Sequence, residues 1–265
     1  MQNAPRILVA RTTCDSPYYT AHHDLNFRIP RMPQPCFALI PAAGVGLRAG
    51  SGSPKQYAPL NGEAMLVHTI RALARAPEIE LVAVVLAPGD AWPACAAGRA
   101  IADEFPGRLR FLGVGGETRA ESVLNGLDAL ADTARDHDWM LVHDAARPCI
   151  TPRMIAGLVA ALRDDPVGGL LALPVPDTVK RADAEGRVAA TVPREGLWLA
   201  QTPQMFRCAL LREACRAAPG VTDEAGAIEL LGRRPKLVPG SARNIKVTWP
   251  ADFALAAGYL RGDDA

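Results

Sequence analysis

The sequence predicts an α/β protein whose mainly parallel β-sheet is covered by helices on both faces. Short apolar runs of the kind that form buried strands recur along the chain, and segments of about 10 to 15 residues with helical spacing separate them. These runs are too uniformly apolar for a sheet with one face in water. Apolar residues make up 49% of the chain, which is enough to build a large core.

The predicted elements alternate regularly from the first strand to about residue 173. The predicted strands are residues 37–40, 81–86, 110–114, 139–143 and 168–173. The predicted helices are residues 64–76, 90–105, 117–130 and 152–162, the last of them capped by Thr151. In a sheet of this kind, ligands bind beyond the carboxyl ends of the parallel strands.

Residues 174–197 break this alternation. Two strand-forming runs, 175–181 and 187–193, flank a turn-rich stretch and predict a β-hairpin. Because an isolated two-stranded hairpin is only marginally stable in water, we expect this arm to contact a second copy of the chain. The remaining predicted elements are helices at 206–218, 223–231 and 251–260, the second capped by Thr222 and ended by Gly232, and a short strand at 244–248.

The composition limits the possible locations and partners. Residues 1–34 have no periodicity and no secretory core, so we expect a disordered, dispensable leader before a single domain at 35–265. The six cysteines form no metal-binding spacing and indicate reduced thiols in a cytoplasmic protein. The formal net charge of +1 gives no reason to expect nucleic acid, and no apolar run is long enough for a membrane span.

The loop after the first predicted strand is the most informative stretch. Gly44 and Gly46 lack a Cβ and so allow a ligand to approach the backbone closely. Arg48 and Lys55 place two cations in the same loop, where they suit a phosphate chain. The pattern therefore predicts a nucleoside triphosphate site.

The glycine-rich loop could also be a dinucleotide-binding loop, a P-loop or a flexible surface loop. A dinucleotide-binding fingerprint fits formally, but Pro54 breaks the required helix and Asp90 comes too late for the acidic residue. A P-loop would need Gly-Lys-Ser/Thr, which is absent. A flexible surface loop explains the glycines and leaves the paired cations unexplained. Gly115, Gly116 and Asp144 also fall at predicted strand ends, and this convergence favours a binding site.

Several longer motifs allow a family comparison. They are Pro41-Ala-Ala-Gly-x-Gly-x-Arg48, Pro54-Lys-Gln-Tyr57, Gly115-Gly-x-x-Arg119-x-x-Ser122, His143-Asp-Ala-Ala-Arg-Pro148, Asp177-Thr178, Arg194-x-Gly-Leu-Trp198, Thr202-Pro-Gln204, Thr222-Asp-Glu224 and Asn244-Ile-Lys-Val-Thr248. With these motifs the chain resembles the 2-C-methyl-D-erythritol 4-phosphate cytidylyltransferases of non-mevalonate isoprenoid synthesis. The likeness runs from residue 37 to the end of the chain.

The resemblance implies a Rossmann-like three-layer nucleotidyltransferase fold and an enzyme that transfers CMP from CTP to the tetritol phosphate. It also implies Mg²⁺ and a homodimer formed through the arm at 174–197. Another polyol phosphate, such as ribitol 5-phosphate, is an alternative acceptor. A non-catalytic nucleotide-binding or dimeric module is an alternative of a different class, as is a nicotinamide-binding protein.

The resemblance also assigns roles to residues. The implied catalytic residues are Arg48, Lys55, Lys246 and Arg194. The implied nucleotide-binding residues are Pro41, Ala42, Ala43, Gly44, Gly46, Gly116, Ser122 and Ala145. The implied acceptor-binding residues are Asp144, Arg147, Thr178, Arg194, Thr202 and Thr222, with Asp144 also as metal ligand. The chain departs from many relatives at Leu47, where they have arginine, and at Arg243, where they have an acidic residue.

Overall fold

The computed structural model describes residues 34–44 and 54–262. Its strands are β1 (Cys36–Pro41), β2 (Pro59–Leu60), β3 (Glu63–Ala64), β4 (Ile79–Val85), β5 (Leu109–Leu112), β6 (Trp139–Val142), β7 (Gly168–Pro174), β8 (Val179–Ala182), β9 (Val188–Val192), β10 (Trp198–Arg207) and β11 (Lys236–Pro239). Its helices are α1 (Met65–Arg75), α2 (Ala96–Glu104), α3 (Arg119–Ala129), α4 (Pro152–Leu162), α5 (Cys208–Ala217), α6 (Glu224–Leu230) and α7 (Pro250–Arg261).

The central sheet has the strand order β11-β7-β10-β6-β1-β4-β5, counted over the described residues. β1 pairs in parallel with both β4 and β6, and β5 and β11 are also parallel to their neighbours. Within this sheet, as far as the structure describes it, β10 alone runs antiparallel to its neighbours, which are β6 and β7. The predicted α/β fold with a mainly parallel sheet is confirmed.

Alternation along β1 explains the two helical layers. Phe37 and Leu39 lie in one buried cluster with side chains of α3, α5 and α6. Ala38 and Ile40 lie in a second cluster with side chains of α1, α2 and α4. A strand with both faces covered must be apolar at every position, and each large side chain buried in this way contributes about 1.5–3 kcal/mol.

The C-terminal helix α7 packs outside these layers. Its Ala256 is buried with Leu60, Met65, Cys149 and Val247 in a third, smaller cluster. Val247 and the partly buried Ile245 belong to the segment before α7, so this segment packs in the same cluster as the helix that follows it.

The structure differs from the predicted elements in the C-terminal third. β10 and β11 were not predicted, and the helix predicted at 206–218 begins at Cys208. β10 carries buried Gln201 and Gln204, and its pairing with β7 is irregular between Ala200 and Gln204. A central strand with polar residues and Pro203 lacks the usual strand pattern. The strand predicted at 244–248 is wrong, because this segment forms no ladder.

Two helices also differ from the prediction in where they begin or how they are capped. The helix predicted at 90–105 is divided into a 3₁₀ turn at Trp92–Ala94 and α2. α6 is capped by Asp223, whose carboxylate accepts a hydrogen bond from the backbone nitrogen of Gly226 at 3.0 Å. The predicted capping by Thr222 is therefore wrong by one residue.

The predicted hairpin is confirmed, because β8 and β9 pair antiparallel as a separate two-stranded sheet. Exposed apolar residues lie on and after it. They are Val188, Leu197, Trp198 and Leu199. The leader predicted at 1–34 falls almost wholly outside the described residues. Among the residues that are described, no helix is both long and apolar enough to span a bilayer.

Candidate active site

A cavity of about 470 Å³ opens beyond the carboxyl ends of the parallel strands. The cavity is lined by three segments: residues 41–44 at the end of β1, residues 116–119 after β5, and residues 144–146 after β6. Lys55 and Lys246 also line it. The volume is typical of a small-molecule site, and its position agrees with the predicted convergence of strand ends.

The turn before α3 is shaped by close backbone contacts. A Cβ on Gly115 would overlap Ala43, so only glycine fits there. The backbone nitrogen of Gly116 donates to Ser122 Oγ at 3.1 Å, and this hydroxyl donates in turn to the carbonyl of Thr118 at 2.9 Å. Ser122 therefore lines the cavity and also fixes the backbone groups that a ligand would meet.

Asp144 lies among three cations. Its Oδ1 is 3.0 Å from Arg119 Nε, and its Oδ2 is 2.8 Å from Lys246 Nζ and 3.7 Å from Arg147 Nε. Burial alone raises the pKa of a carboxyl group, but here the adjacent Arg119 and Lys246 outweigh it and hold the pKa of Asp144 well below its usual range. Asp144 is therefore ionised at neutral pH.

Arg119 is itself held by a second carboxylate. Glu224, at the start of α6, is 2% exposed and lies 2.6 Å and 3.1 Å from the two terminal nitrogens of Arg119. This fork geometry leaves Arg119 Nε directed at Asp144. Arg119 and Glu224 both lie in the sequence motifs, but neither residue was predicted to belong to the site.

Lys55 and Lys246 are far apart in the sequence, and both line the cavity. The ammonium group of Lys55 donates to the carbonyl of Val247, the residue after Lys246. The neighbouring Gln56 is buried and donates to the carbonyl of Ala42 at 2.8 Å. The structure thus brings the two lysines to one cavity.

Aromatic contacts support the Lys55 segment from outside. The ring of Tyr57 stacks on Trp92 with centroids 5.1 Å apart, and its hydroxyl donates to Asp90 Oδ2 at 2.7 Å. The other oxygen of Asp90 accepts from the backbone nitrogen of Trp92 at 2.9 Å. The 3₁₀ turn at Lys55–Tyr57 is therefore fixed to the loop between β4 and α2.

Thr202 and His143 hold the backbone of Asp144. The nitrogen of Asp144 donates to Thr202 Oγ1 at 3.0 Å, and Thr202 Oγ1 lies 3.0 Å from His143 Nδ1. His143 Nε2 lies 3.1 Å from the carbonyl of Arg147, which accepts only, so Nε2 carries the proton. Nδ1 of neutral His143 then accepts from the Thr202 hydroxyl. Burial lowers the pKa of His143 to about 4, so this histidine is neutral at pH 7.

A second cavity of about 150 Å³ adjoins the first. Arg119, Asp144 and Lys246 line both cavities. The remaining lining residues of the smaller one are Arg147, Ala200, Gln201, Thr202, Gln204, Thr222 and Asp223. Its charged lining residues are three cations, Arg119, Arg147 and Lys246, and two carboxylates, Asp144 and Asp223. The net positive charge of this lining suits an anionic group.

The structure assembles most of the sequence-predicted site residues, with two groups of exceptions. Arg48 and Gly46 lie outside the described residues. Thr178 and Arg194 lie in the hairpin arm, are exposed, and line neither cavity of their own chain. Within residues 34–44 and 54–262, no group of three or more His, Cys, Asp or Glu side chains could hold a metal ion.

Comparison with known proteins identifies the family. A family model described as 2-C-methyl-D-erythritol 4-phosphate cytidylyltransferase matches residues 36–262. The chain belongs to this family. A protein of the same name from Dechloromonas aromatica (strain RCB) is 57% identical over 225 residues, which cover 85% of this chain and 97% of that protein. One from Chromobacterium violaceum is 53% identical over 232 residues, which cover 86% and 98%.

Solved structures agree with membership in this cytidylyltransferase family. A crystal structure of a 4-diphosphocytidyl-2C-methyl-D-erythritol synthase is 41% identical, with a TM-score of 0.75, and the match covers 86% of this chain and 99% of that one. The 2-C-methyl-D-erythritol 4-phosphate cytidylyltransferase of Thermus thermophilus is 33% identical with a TM-score of 0.69, covering 86% and 100%. The protein is thus an enzyme, a CTP-dependent nucleotidyltransferase.

Proposed function

We propose that the protein transfers CMP from CTP to 2-C-methyl-D-erythritol 4-phosphate, giving 4-diphosphocytidyl-2-C-methyl-D-erythritol and pyrophosphate. The observation that carries this proposal is the pair of adjoining cavities with a shared wall of Arg119, Asp144 and Lys246. CTP would occupy the larger cavity and the acceptor phosphate the smaller one. The α-phosphorus of CTP would then lie beside the shared wall.

In the proposed reaction, an oxygen of the acceptor phosphate attacks the α-phosphorus of CTP in line. The new phosphorus–oxygen bond forms as the bond to the β-phosphate oxygen breaks, and pyrophosphate leaves with that electron pair. Negative charge spreads over the oxygens around the α-phosphorus. Lys55 and Lys246 would stabilise this charge, together with Arg48 from the glycine-rich loop.

The acceptor needs no strong general base, because a phosphate monoester is already ionised near neutral pH. His143 is fully buried, its pKa is lowered to about 4, and both ring nitrogens are occupied by Thr202 and Arg147. This histidine is therefore unsuited to proton transfer. Arg147, Thr202 and Thr222 would instead line the acceptor site, where the guanidinium of Arg147 would bring positive charge close to the phosphate.

A magnesium ion would be held at this site by a single protein ligand and by the substrate phosphates. Asp144 is the ionised carboxylate on the wall shared by both cavities. Mg²⁺ is commonly bound by one or two carboxylates and by the phosphates of the substrate, so the absence of a larger carboxylate cluster among the described residues is compatible with it. When bound, the ion would neutralise part of the triphosphate charge.

We also propose a homodimer formed through the hairpin arm at 174–197. The arm carries exposed apolar side chains, which a second subunit would cover. Arg194 and Thr178 would then reach the partner's acceptor site. The single domain at 35–265 and the cytoplasmic location stay predictions of the sequence.

The acceptor is tested by measuring pyrophosphate release with CTP and either of two polyol phosphates. We expect much higher kcat/KM with 2-C-methyl-D-erythritol 4-phosphate than with ribitol 5-phosphate. Preference for ribitol 5-phosphate would contradict the proposed acceptor and leave the nucleotide assignment intact. UTP and ATP serve as controls for the nucleotide.

A further inference from the structure

Arg243 contacts the end of the helix that follows it. One terminal nitrogen of its guanidinium donates to the carbonyls of Tyr259 and Gly262, both at 2.8 Å. The guanidinium also lies 5.6 Å from the centre of the Tyr259 ring. These carbonyls belong to the C-terminal end of α7, where a helix lacks internal donors and where a positive charge is favourable.

Arg243 begins the segment 243–249, and the N-terminal end of α7 holds the other end of this segment. Asp252, in the first turn, accepts hydrogen bonds through Oδ2 from the backbone nitrogens of Thr248 and Trp249, both at 2.8 Å. Between the two ends, Ile245 and Val247 pack in the apolar cluster that includes α7. Residues 243–249 are therefore held along the full length of the helix.

Lys246 lies in the middle of this segment. Its side chain is 48% exposed and its ammonium group reaches Asp144 at 2.8 Å. A long lysine side chain with one ion-pair partner has many available rotamers. The position of the ammonium group therefore depends strongly on where the backbone of residue 246 is held.

We infer that Arg243 and Asp252 are positioning residues that set the location of Lys246 through α7. This inference rests on the proposed role of Lys246. It also explains the departure at residue 243, because an acidic side chain there could not donate to the helix carbonyls and would meet the negative end of the helix dipole. In this chain Arg243 donates to the carbonyls at the C-terminal end of α7, and it lines neither cavity.

A double-mutant cycle tests this inference. Arg243→Ala, Lys246→Ala and the double variant are compared with the wild type in the pyrophosphate assay. If Arg243 acts through Lys246, Arg243→Ala lowers kcat on the order of 10-fold to 100-fold in the wild-type background. In the Lys246→Ala background we expect a further loss of less than about twofold, because the group being positioned is absent.

CTP affinity is a second readout for variants whose turnover is too low to compare. Calorimetry measures it for the same four proteins, and we expect the effects of the two substitutions on affinity to be non-additive in the same way. Arg261→Ala is the matched control, because Arg261 lies in the last turn of the same helix and donates to Asn61 at 3.0 Å. We expect it to leave kcat and CTP affinity within about twofold of the wild type.

Equal losses from Arg243→Ala in both backgrounds would overturn the inference, since a general loss of structure does not depend on Lys246. Wild-type kcat and CTP affinity in Arg243→Ala would also overturn it. Wild-type turnover in Lys246→Ala would instead contradict the proposed function. Arg243→Lys, which keeps the charge but has a single ammonium group, is expected to restore part of the lost kcat, and Asp252→Ala is expected to reproduce the non-additivity.

Discussion

The ammonium nitrogen of Lys246 lies 2.8 Å from Oδ2 of Asp144. This ion pair joins a segment near the end of the chain to the carboxyl end of β6, the strand beside β1 in the sheet. Because Asp144 is largely buried, the cations around it compensate a charge that would otherwise be costly. Arrival of a triphosphate would give Lys246 a second anionic partner in the same cavity.

Glu224→Gln tests the support of Arg119. This change removes the charge of one of the two carboxylates that contact Arg119 and leaves Asp144 as the other, so we expect a loss of about 1–3 kcal/mol in the free energy of unfolding. Urea denaturation measures it. Glu229→Gln, on the exposed side of the same helix, is the matched control and should change stability by less than about 0.5 kcal/mol. Similar stability for the two variants would contradict the importance of the Arg119–Glu224 pair.

Thr202→Val and Thr202→Ser test the hydroxyl that holds Asp144. Valine removes the acceptor of the Asp144 backbone nitrogen and the donor to His143, so we expect a loss of about 1–3 kcal/mol in stability. Turnover should fall as well, because Asp144 would lose its fixed orientation. Serine keeps the hydroxyl and should retain most of both properties. Equal effects of the two substitutions would show that the hydroxyl bonds are unimportant.

The neutral state of His143 predicts a pH dependence of stability. Its pKa is about 4 in the folded protein against 6.5 for the free side chain. Between these values the unfolded chain binds a proton at this position and the folded chain does not. Stability should therefore fall as pH decreases from 6.5 to 4, by on the order of 3 kcal/mol from this residue. Urea denaturation at several pH values measures it.

His143→Gln is the comparison for that experiment. Glutamine offers a donor and an acceptor but does not titrate, so the variant should lose less stability over the same pH range. An identical pH dependence in the wild type and in His143→Gln would contradict a lowered histidine pKa.

Mixed dimers test whether Arg194 acts on the partner's site. Lys55→Ala and Arg194→Ala homodimers should each have very low activity. When the two variants are co-expressed, half of the dimers are mixed, and each mixed dimer would contain one intact site. Pyrophosphate release should recover to about a quarter of the wild-type value. If Arg194 serves the site of its own chain, the mixed dimers contain no intact site and activity stays low.

The sequence was sufficient to predict the parts of the fold that have a regular apolar pattern. β1 and β6 are continuously apolar, and β4 is apolar from Leu81 to Val85, so all three were predicted. β10 was missed because buried Gln201, Gln204 and Pro203 interrupt its pattern. These glutamines are buried because they bond to distant backbone groups: Gln201 donates to the carbonyl of Ser241, and Gln204 accepts from the nitrogen of Ala225. Such partners belong to the tertiary structure and leave no local pattern.

The site residues divide in the same way, into those that sequence motifs identify and those that only the fold brings together. Lys55, Asp144 and Lys246 belong to motifs, and the structure places them at one cavity. In the sequence alone, Glu224 fits equally well as an acidic residue that complements a helix start, and only the fold brings it to Arg119. Arg243 was recognised as a departure from many relatives, but its partners at the end of α7 could not be derived from spacing.

The central claim is that Lys55 and Lys246, from distant parts of the chain, bind one triphosphate. A crystal structure with CTP and Mg²⁺ tests it most directly. We predict that both ammonium groups lie within about 2.7–3.2 Å of phosphate oxygens of the same nucleotide in the larger cavity. A nucleotide bound elsewhere, or a triphosphate contacted by only one of the two lysines, would contradict the proposed mechanism.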